Sequence, residues 1–287
     1  MAWLGWSLGL LALLGGVAAF LYWQLIIAEG AYLGRRVVTW LYDASAHAYD
    51  NIKAFQPTYE EMLLARPLRQ KLALSGFTDP LVLDVATGTA RLPYGLFRYT
   101  QYPGRVIGLD LSRKMLVEAL PKCQPWADRL TFIWQDASEL PFPDDIFDAV
   151  ACLEALEFMP DPDRVLRELA RVLRPGGILL TTNRIGKTAR WMPGRTHSAQ
   201  ALEEKLQALE MEMIRIRPWQ VDYEMVWAIK PGVRRAVGLR ALDEVLRCPR
   251  CHAPVSRDGD RYGCEQGHAF AVSAEGILEM ASVRQEA

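Results

Sequence analysis

Five short apolar runs, each closed by a turn and followed by a helical pattern, begin at Leu81 and restrict the fold more than any other feature. LVLDV (81–85), RVIGLD (105–110), LTFIWQD (130–136), FDAVACL (147–153) and GILLTTN (177–183) read as strands buried on both faces. Between them, SRKMLVEAL and DPDRVLRELARVL carry helical spacing, the second with Val165, Leu166, Leu169, Val172 and Leu173 on one face. Such alternation predicts right-handed crossovers and an α/β, doubly wound, mostly parallel sheet. Ligands of such sheets bind beyond the carboxyl ends of the strands.

Three of these runs end in a carboxylate. Asp84 opens DVATGTA (84–90), where Gly88 and its small neighbours let the backbone approach a ligand at a helix N-terminus. Taken alone, that stretch is equally a tight strand-to-helix turn. Asp110 closes the second run and can accept hydrogen bonds from both hydroxyls of a ribose. Asp136 closes the third, placed to meet an adenine amino group.

VLDVATGTA, VIGLDLSRKML, WQDASELPFPDDIFDAV and LRELARVLRPGGILL, in this order, resemble the class I S-adenosylmethionine-dependent methyltransferases. The likeness is closest to the branch that includes quinone-biosynthesis methyltransferases and covers roughly Leu72 to Thr182. It implies a Rossmann-like fold and S-adenosyl-L-methionine as cofactor. It further implies that Asp84 orients the cofactor's amino acid end, that Ala86, Thr87 and Gly88 supply backbone contact, and that Asp110 holds the ribose. Leu111 and Met115 would sandwich the adenine, with plain core packing as the alternative, and Asp136 and Ala137 would read its edge. Ala90 departs from the pattern, which usually has glycine there. Asp148, Arg171 and the RPGG turn at 174–177 read as structural.

A sulfonium methyl group is already activated, so holding the acceptor in line and excluding water matter more than any one catalytic group. Glu154, just beyond the fourth run, is the candidate base or orienting acceptor, and a solvated helix-start carboxylate is the alternative. Glu157, His47, Tyr49, Asn183 and Arg184 are weaker candidates.

From Ala2 to Ala28 no charged residue appears, and at 1.5 Å per residue this exceeds a hydrocarbon core roughly 30 Å thick. The stretch reads as a transmembrane helix with aromatic residues near its ends. A cleaved signal peptide fits less well, since no basic segment precedes it and no cleavage site stands out. Arg35 and Arg36 follow it, which predicts a single-pass chain with its N-terminus outside and its bulk cytoplasmic. In the next segment Trp40, Tyr42, Tyr49, Phe55 and Tyr59 are placed either over a domain entrance or against a bilayer.

Near the other end, CPRCHAPVSRDGDRYGCEQGH gathers Cys248, Cys251, Cys264 and His268 at the spacing of a tetrahedral zinc site. Four protein ligands leave no open position, so zinc here would be structural, and a disulfide or free thiols are the alternative. His252 competes as a ligand, but awkwardly, because it adjoins Cys251. With the later GHAFAVSAEGIL, this zinc-binding module resembles the N-terminal segment of ribosomal RNA guanine N1-methyltransferases, which there serves RNA recognition.

The expected organisation is therefore an anchor (1–28), a helical lid (29–71), the methyltransferase domain (72–230), a basic linker helix (231–247) and the zinc-binding module (248–287). With 33 basic against 34 acidic residues there is no overall basic field, which argues against nucleic acid as partner without excluding a local patch. The leading expectation is a membrane-anchored methyltransferase for a small hydrophobic acceptor, such as a quinone precursor or lipid-like molecule. An RNA or protein methyltransferase guided by the zinc module, and a non-catalytic membrane-tethered assembly factor, are the alternatives.

Overall fold

The computed structural model describes residues 2–233, 240–259 and 261–281, so Arg234 and Arg235 of the basic stretch lie outside the described residues. The five apolar runs form β1 (Leu81–Val85), β2 (Arg105–Asp110), β3 (Leu130–Trp134), β4 (Phe147–Cys152) and β5 (Leu173–Arg184). An antiparallel hairpin, β6 (Glu212–Gln220) and β7 (Tyr223–Ile229), completes this half, and β8 (Val255–Asp258), β9 (Arg261–Cys264), β10 (Ala269–Val272) and β11 (Leu278–Glu279) follow. All belong to one sheet, ordered β6-β7-β5-β4-β1-β2-β3-β11-β10-β9-β8. Strands β1 to β5 pair in parallel, and β5 with β7 antiparallel.

Alternation along the strands divides the core in two. Leu81, Leu83 and Val85 of β1 face one cluster, while Val82 faces the other with Val106 and Phe132. Both faces are covered by helices, as parallel strands require. The RPGG stretch differs from the expected turn: it lies within β5 as a bulge, where the register passes from Phe147↔Leu173 to Ala149↔Ile178.

The segment that carries the cysteine–histidine cluster continues the main sheet. Leu278 of β11 pairs in parallel with Ile133 of β3, and the backbone N–H groups of Met280 and Ala281 donate to the Trp134 carbonyl. Cys248, Val255, Tyr262, Phe270 and Leu278 pack in the same core as Leu83 and Ile133. The edge that β3 would otherwise expose is thereby paired.

At the N-terminus, α1 (Ala2–Tyr22) runs into a π turn (Trp23–Ile27), and Trp6–Ile27 is long and apolar enough to cross a membrane by length and composition. Every side chain from Trp6 to Tyr22 is exposed. Its end is tied to the main domain, because Trp23 Nε1 donates to the Trp191 carbonyl at 2.8 Å, Tyr32 to Pro193 at 2.8 Å and Arg195 to Ala31 at 2.8 Å. Four helices follow: α2 (Arg35–Ser45), α3 (Tyr49–Lys53), α4 (Pro57–Glu60) and α5 (Arg66–Leu74). Between strands lie α6 (Arg91–Thr100), α7 (Arg113–Cys123) and α8 (Pro162–Val172), and later α9 (Gly186–Ala189), α10 (Ala199–Ala208) and α11 (Leu242–Val245).

Asp148 has the structural part expected of it. Its carboxylate accepts the Leu81 N–H at 2.8 Å and pairs with the buried guanidiniums of Arg174 and Arg240. Asp148→Ala removes the counter-charge of both, so unfolding free energy should fall by about 3–5 kcal/mol, read as a lower urea midpoint at unchanged slope. A loss under about 1 kcal/mol would show that water already solvates the cluster.

Candidate active site

The loop after β1 is built from left-handed residues. Ala86 (φ 54°), Gly88 (φ 54°) and Ala90 (φ 64°) all lie where a β-carbon is strained. Ala90 is fully buried at the start of α6, where its β-carbon carries a backbone cost that glycine would not. Hydrogen bonds hold the loop: Thr87 N–H donates to the Leu109 carbonyl at 3.0 Å and the Thr87 hydroxyl to Asp84 at 2.6 Å.

Asp110 is the centre of this edge. Its carboxylate accepts the Gly88 N–H at 2.7 Å and the Ser112 N–H at 2.8 Å, tying the loop after β1 to that after β2. A cavity opens beside it, lined by Ala86, Gly88, Asp110, Leu111, Asp136 and Ala137. These are six of the nine cofactor candidates. The other three, Asp84, Thr87 and Met115, are buried behind the loop and do not line the cavity.

The segment before β1 closes the cavity from the other side, and nothing in the sequence announced how. Arg35, read from sequence only as a flanking charge, donates to Asp136 at 2.5 Å, while the other Asp136 oxygen accepts the Ser138 N–H at 2.7 Å. Ser112 donates its hydroxyl to Asp43, Thr89 to Asp50, and Lys53 pairs with Glu154 at 3.2 Å. Tyr42 and Tyr49 complete the roof, and burial pushes both phenols above their ordinary range. Trp40 instead stands 63% exposed.

Glu154 is not a solvated helix-start group. It is 9% exposed, sits at φ 52°, and its carboxylate takes Arg91 at 2.6 Å and Lys53 from two sides, with Gln220 at 3.3 Å. Glu157 is withdrawn from the cavity. It accepts the Tyr223 hydroxyl at 2.6 Å, and burial holds its carboxyl above the ordinary value. His47 is exposed, and Asn183 donates to the His197 carbonyl and to Glu224.

Cys248, Cys251, Cys264 and His268 converge as their spacing predicted, their ligand atoms within 4.8 Å of one another. Cys251 and Cys264 sulfurs stand 3.6 Å apart, and His268 Nδ1 lies 3.4 Å from Cys248 and 3.5 Å from Cys264. Tetrahedral Zn–S of 2.3 Å and Zn–N of 2.0–2.1 Å require roughly 3.8 Å between sulfurs and 3.6 Å from sulfur to nitrogen, so the donor set fits zinc. His252 lies outside the cluster, exposed and 3.5 Å from Glu139.

Residues 83–181 match the methyltransferase domain family. This region, which carries the cavity's carboxylates, is an S-adenosylmethionine-dependent methyltransferase domain of class I. The chain is 37% identical over 138 residues to the 2-phytyl-1,4-naphtoquinone methyltransferase of Synechococcus elongatus, covering 47% of this chain and 58% of that protein. It is 42% identical over 98 residues to the demethylmenaquinone methyltransferase of Lysinibacillus sphaericus, covering 34% and 42%. The chain thus spans about half the length of these curated relatives. Among solved structures, a chain of the complex between the Haloferax volcanii Trm112 methyltransferase activator and a methyltransferase shares the fold. It has a TM-score of 0.50 at 21% identity and covers 68% of this chain and 98% of that one.

Burial raises Asp84 to about 7, against the opposing hydrogen bond from Thr87, and raises Asp110 to about 6, against those from Ser112 and Gly88. Both native values exceed the unfolded one near 4, so the native state binds protons more tightly. Their contribution to stability is complete below about pH 4 and is lost as the pH climbs through 6 and 7. Asp84→Asn should flatten the decline of the urea midpoint between roughly pH 4.5 and 7.5. An unchanged decline would show that Asp84 is ionised throughout.

Proposed function

We propose that this chain is an S-adenosylmethionine-dependent methyltransferase held at a membrane by its N-terminal helix and acting on a small hydrophobic acceptor, such as a quinone precursor or lipid-like molecule. The observation that carries this reading is the carboxylate-edged cavity in the matched region, roofed by a segment that runs directly on from an apolar helix. The relatives named for naphthoquinone and menaquinone methylation support the acceptor class. Trp191, 63% exposed beside the end of that helix, suits a membrane–water interface. Arg35 and Arg36 after the helix favour a cytoplasmic main domain.

The cofactor supplies a methyl group on a positively charged sulfur. Asp110 would accept from its ribose while keeping the two loops in register, and Asp136 with Ala137 would meet its adenine edge. Leu111 flanks the same space. Tyr42, Tyr49 and the polar contacts of the roof exclude water and hold the reacting groups in line. Glu154 or solvent would take the proton that the acceptor displaces on receiving the methyl group, whose former bonding pair would stay with the cofactor's sulfur.

An acceptor read by the metal module is less well supported, because Tyr262 and Phe270 are spent on the shared core. Purified protein incubated with membranes and methyl-labelled cofactor should label the lipid and quinone fraction; label confined to RNA or protein would sink the reading, and absence of cofactor binding in calorimetry would favour the non-catalytic alternative. The protein should also carry about one zinc per chain, and Cys264→Ser should lose it and deprotect the amides of β9 and β10 in hydrogen exchange. Full metal content in that variant would remove Cys264 from the ligand set.

A further inference from the structure

Where the apolar helix meets the main domain, two elements come together that the proposed chemistry does not use. Trp23 lies within the span Trp6–Ile27 and donates to the Trp191 carbonyl, while Tyr32 donates to that of Pro193, so the stretch from α9 to Pro193 is held level with the helix's last turns. Helix α2 starts three residues after Tyr32. Arg36 of α2, and Lys187 and Arg190 of the other stretch, are all exposed and hold no ion pair among the described residues. From Gly30 to Tyr42 and from Ile185 to Leu202 the chain has no acid, and Glu29, just before the first of these stretches, is engaged by the Tyr42 hydroxyl at 2.8 Å.

These cations are interleaved with exposed apolar groups. Leu33 is 45% exposed, and Trp40 stands one helical turn from Arg36 on the outward face of α2. The inward face of the same helix turns Arg35, Thr39 and Tyr42 to the cavity. Trp191 follows Arg190 directly, and the turn between β6 and β7, whose Asp222 carbonyl accepts the Ile185 N–H at 2.8 Å, adds the exposed Val221. The Asp222 carboxylate adjoins Gly186, and three cations outweigh it. A patch of this make-up, placed where a bilayer-length helix emerges, matches the headgroup region: rings and aliphatic side chains enter the boundary while Lys and Arg meet phosphates. Nucleic acid would offer Leu33 and Val221 no apolar partner.

We infer that the outward face of α2 and the stretch 186–191 form a docking surface for anionic phospholipid headgroups, which lays the roof of the cavity on the bilayer. A single helix fixes where the domain is tethered; this surface fixes which face the domain turns to the membrane. The inference rests on the membrane reading and names its lipid class. At a surface rich in anionic lipid each Lys or Arg strengthens binding roughly fivefold, within a screening length of about 8–10 Å.

The test places the full chain in vesicles of phosphatidylcholine, with and without phosphatidylglycerol, and reads hydrogen exchange at the amides of α2 and of residues 188–192. Both sets should exchange roughly fivefold more slowly in the anionic vesicles, and the difference should vanish at about 1 M salt, where the screening length falls to about 3 Å. Arg36→Gln, Lys187→Gln and Arg190→Gln combined should abolish it without moving the urea midpoint, since the three side chains are exposed. Equal exchange in the two lipids, or slowing that survives the triple substitution, overturns the inference, and a chain that still floats with both vesicles keeps its anchor. Slowing in detergent on adding RNA, or on raising the protein concentration, would assign the patch to nucleic acid or to a second copy and overturn it equally. A chain that floats only with anionic vesicles, and is released by the triple substitution, upholds the docking surface while the helix ceases to be an anchor. A chain that floats with neither removes both.

Discussion

Four polar contacts laid across the carboxyl edge of the sheet hold the site together. Arg35 to Asp136, Asp43 to Ser112, Asp50 to Thr89 and Lys53 to Glu154 each join the segment before β1 to the end of a different strand or its following loop. Without them the carboxylates of that edge would face open water and the strained turn of Ala86, Gly88 and Ala90 would have no roof. With them, the same edge becomes a roofed cavity lined by Asp110, and burial makes Asp110, like Asp84 behind the loop, hold its proton more tightly than an ordinary carboxylate.

The same segment begins where an exposed apolar helix ends and reaches Glu154 through Lys53, so the roof of the cavity and one wall of a neighbouring cleft belong to one continuous stretch of chain. At the opposite side of the sheet the segment carrying the cysteine–histidine cluster ends in β11, which pairs with β3 up to Trp134, two residues before Asp136. Arg113, at the start of α7, pairs with Glu275 and Glu279 and fastens the two regions further. Cys248, Val255, Tyr262, Phe270 and Leu278 of the C-terminal segment are part of the main core.

Much of the fold was legible because it rests on local rules. The five parallel strands and their helices announce themselves through short apolar runs and helical spacing, and the cysteine–histidine spacing carries its own geometry. The RPGG bulge was not legible, since glycine and proline mark a turn and a bulge alike. Glu154 was found as a candidate, but the choice between a buried and a solvated carboxylate was not legible, because its partners Arg91, Lys53 and Gln220 stand 63, 101 and 66 residues away. Arg91 and Lys53 themselves gave no sequence signal: a charge on a helix is ordinarily a solvated face.

The sequence by itself determined the α/β order of elements, the carboxylates at three strand ends, the cysteine–histidine grouping and an apolar helix long enough for a bilayer, all of which follow from residue type and spacing along the chain. Only the tertiary structure decided that Arg35 covers Asp136, that Met115 lies outside the cavity lining, that β11 pairs with β3, and that Glu154 lines two clefts. Those facts depend on which distant segments meet. Side-chain contacts between segments a hundred residues apart leave no periodicity in one chain, since they are fixed by how the sheet stacks its layers and by the loss of water between them.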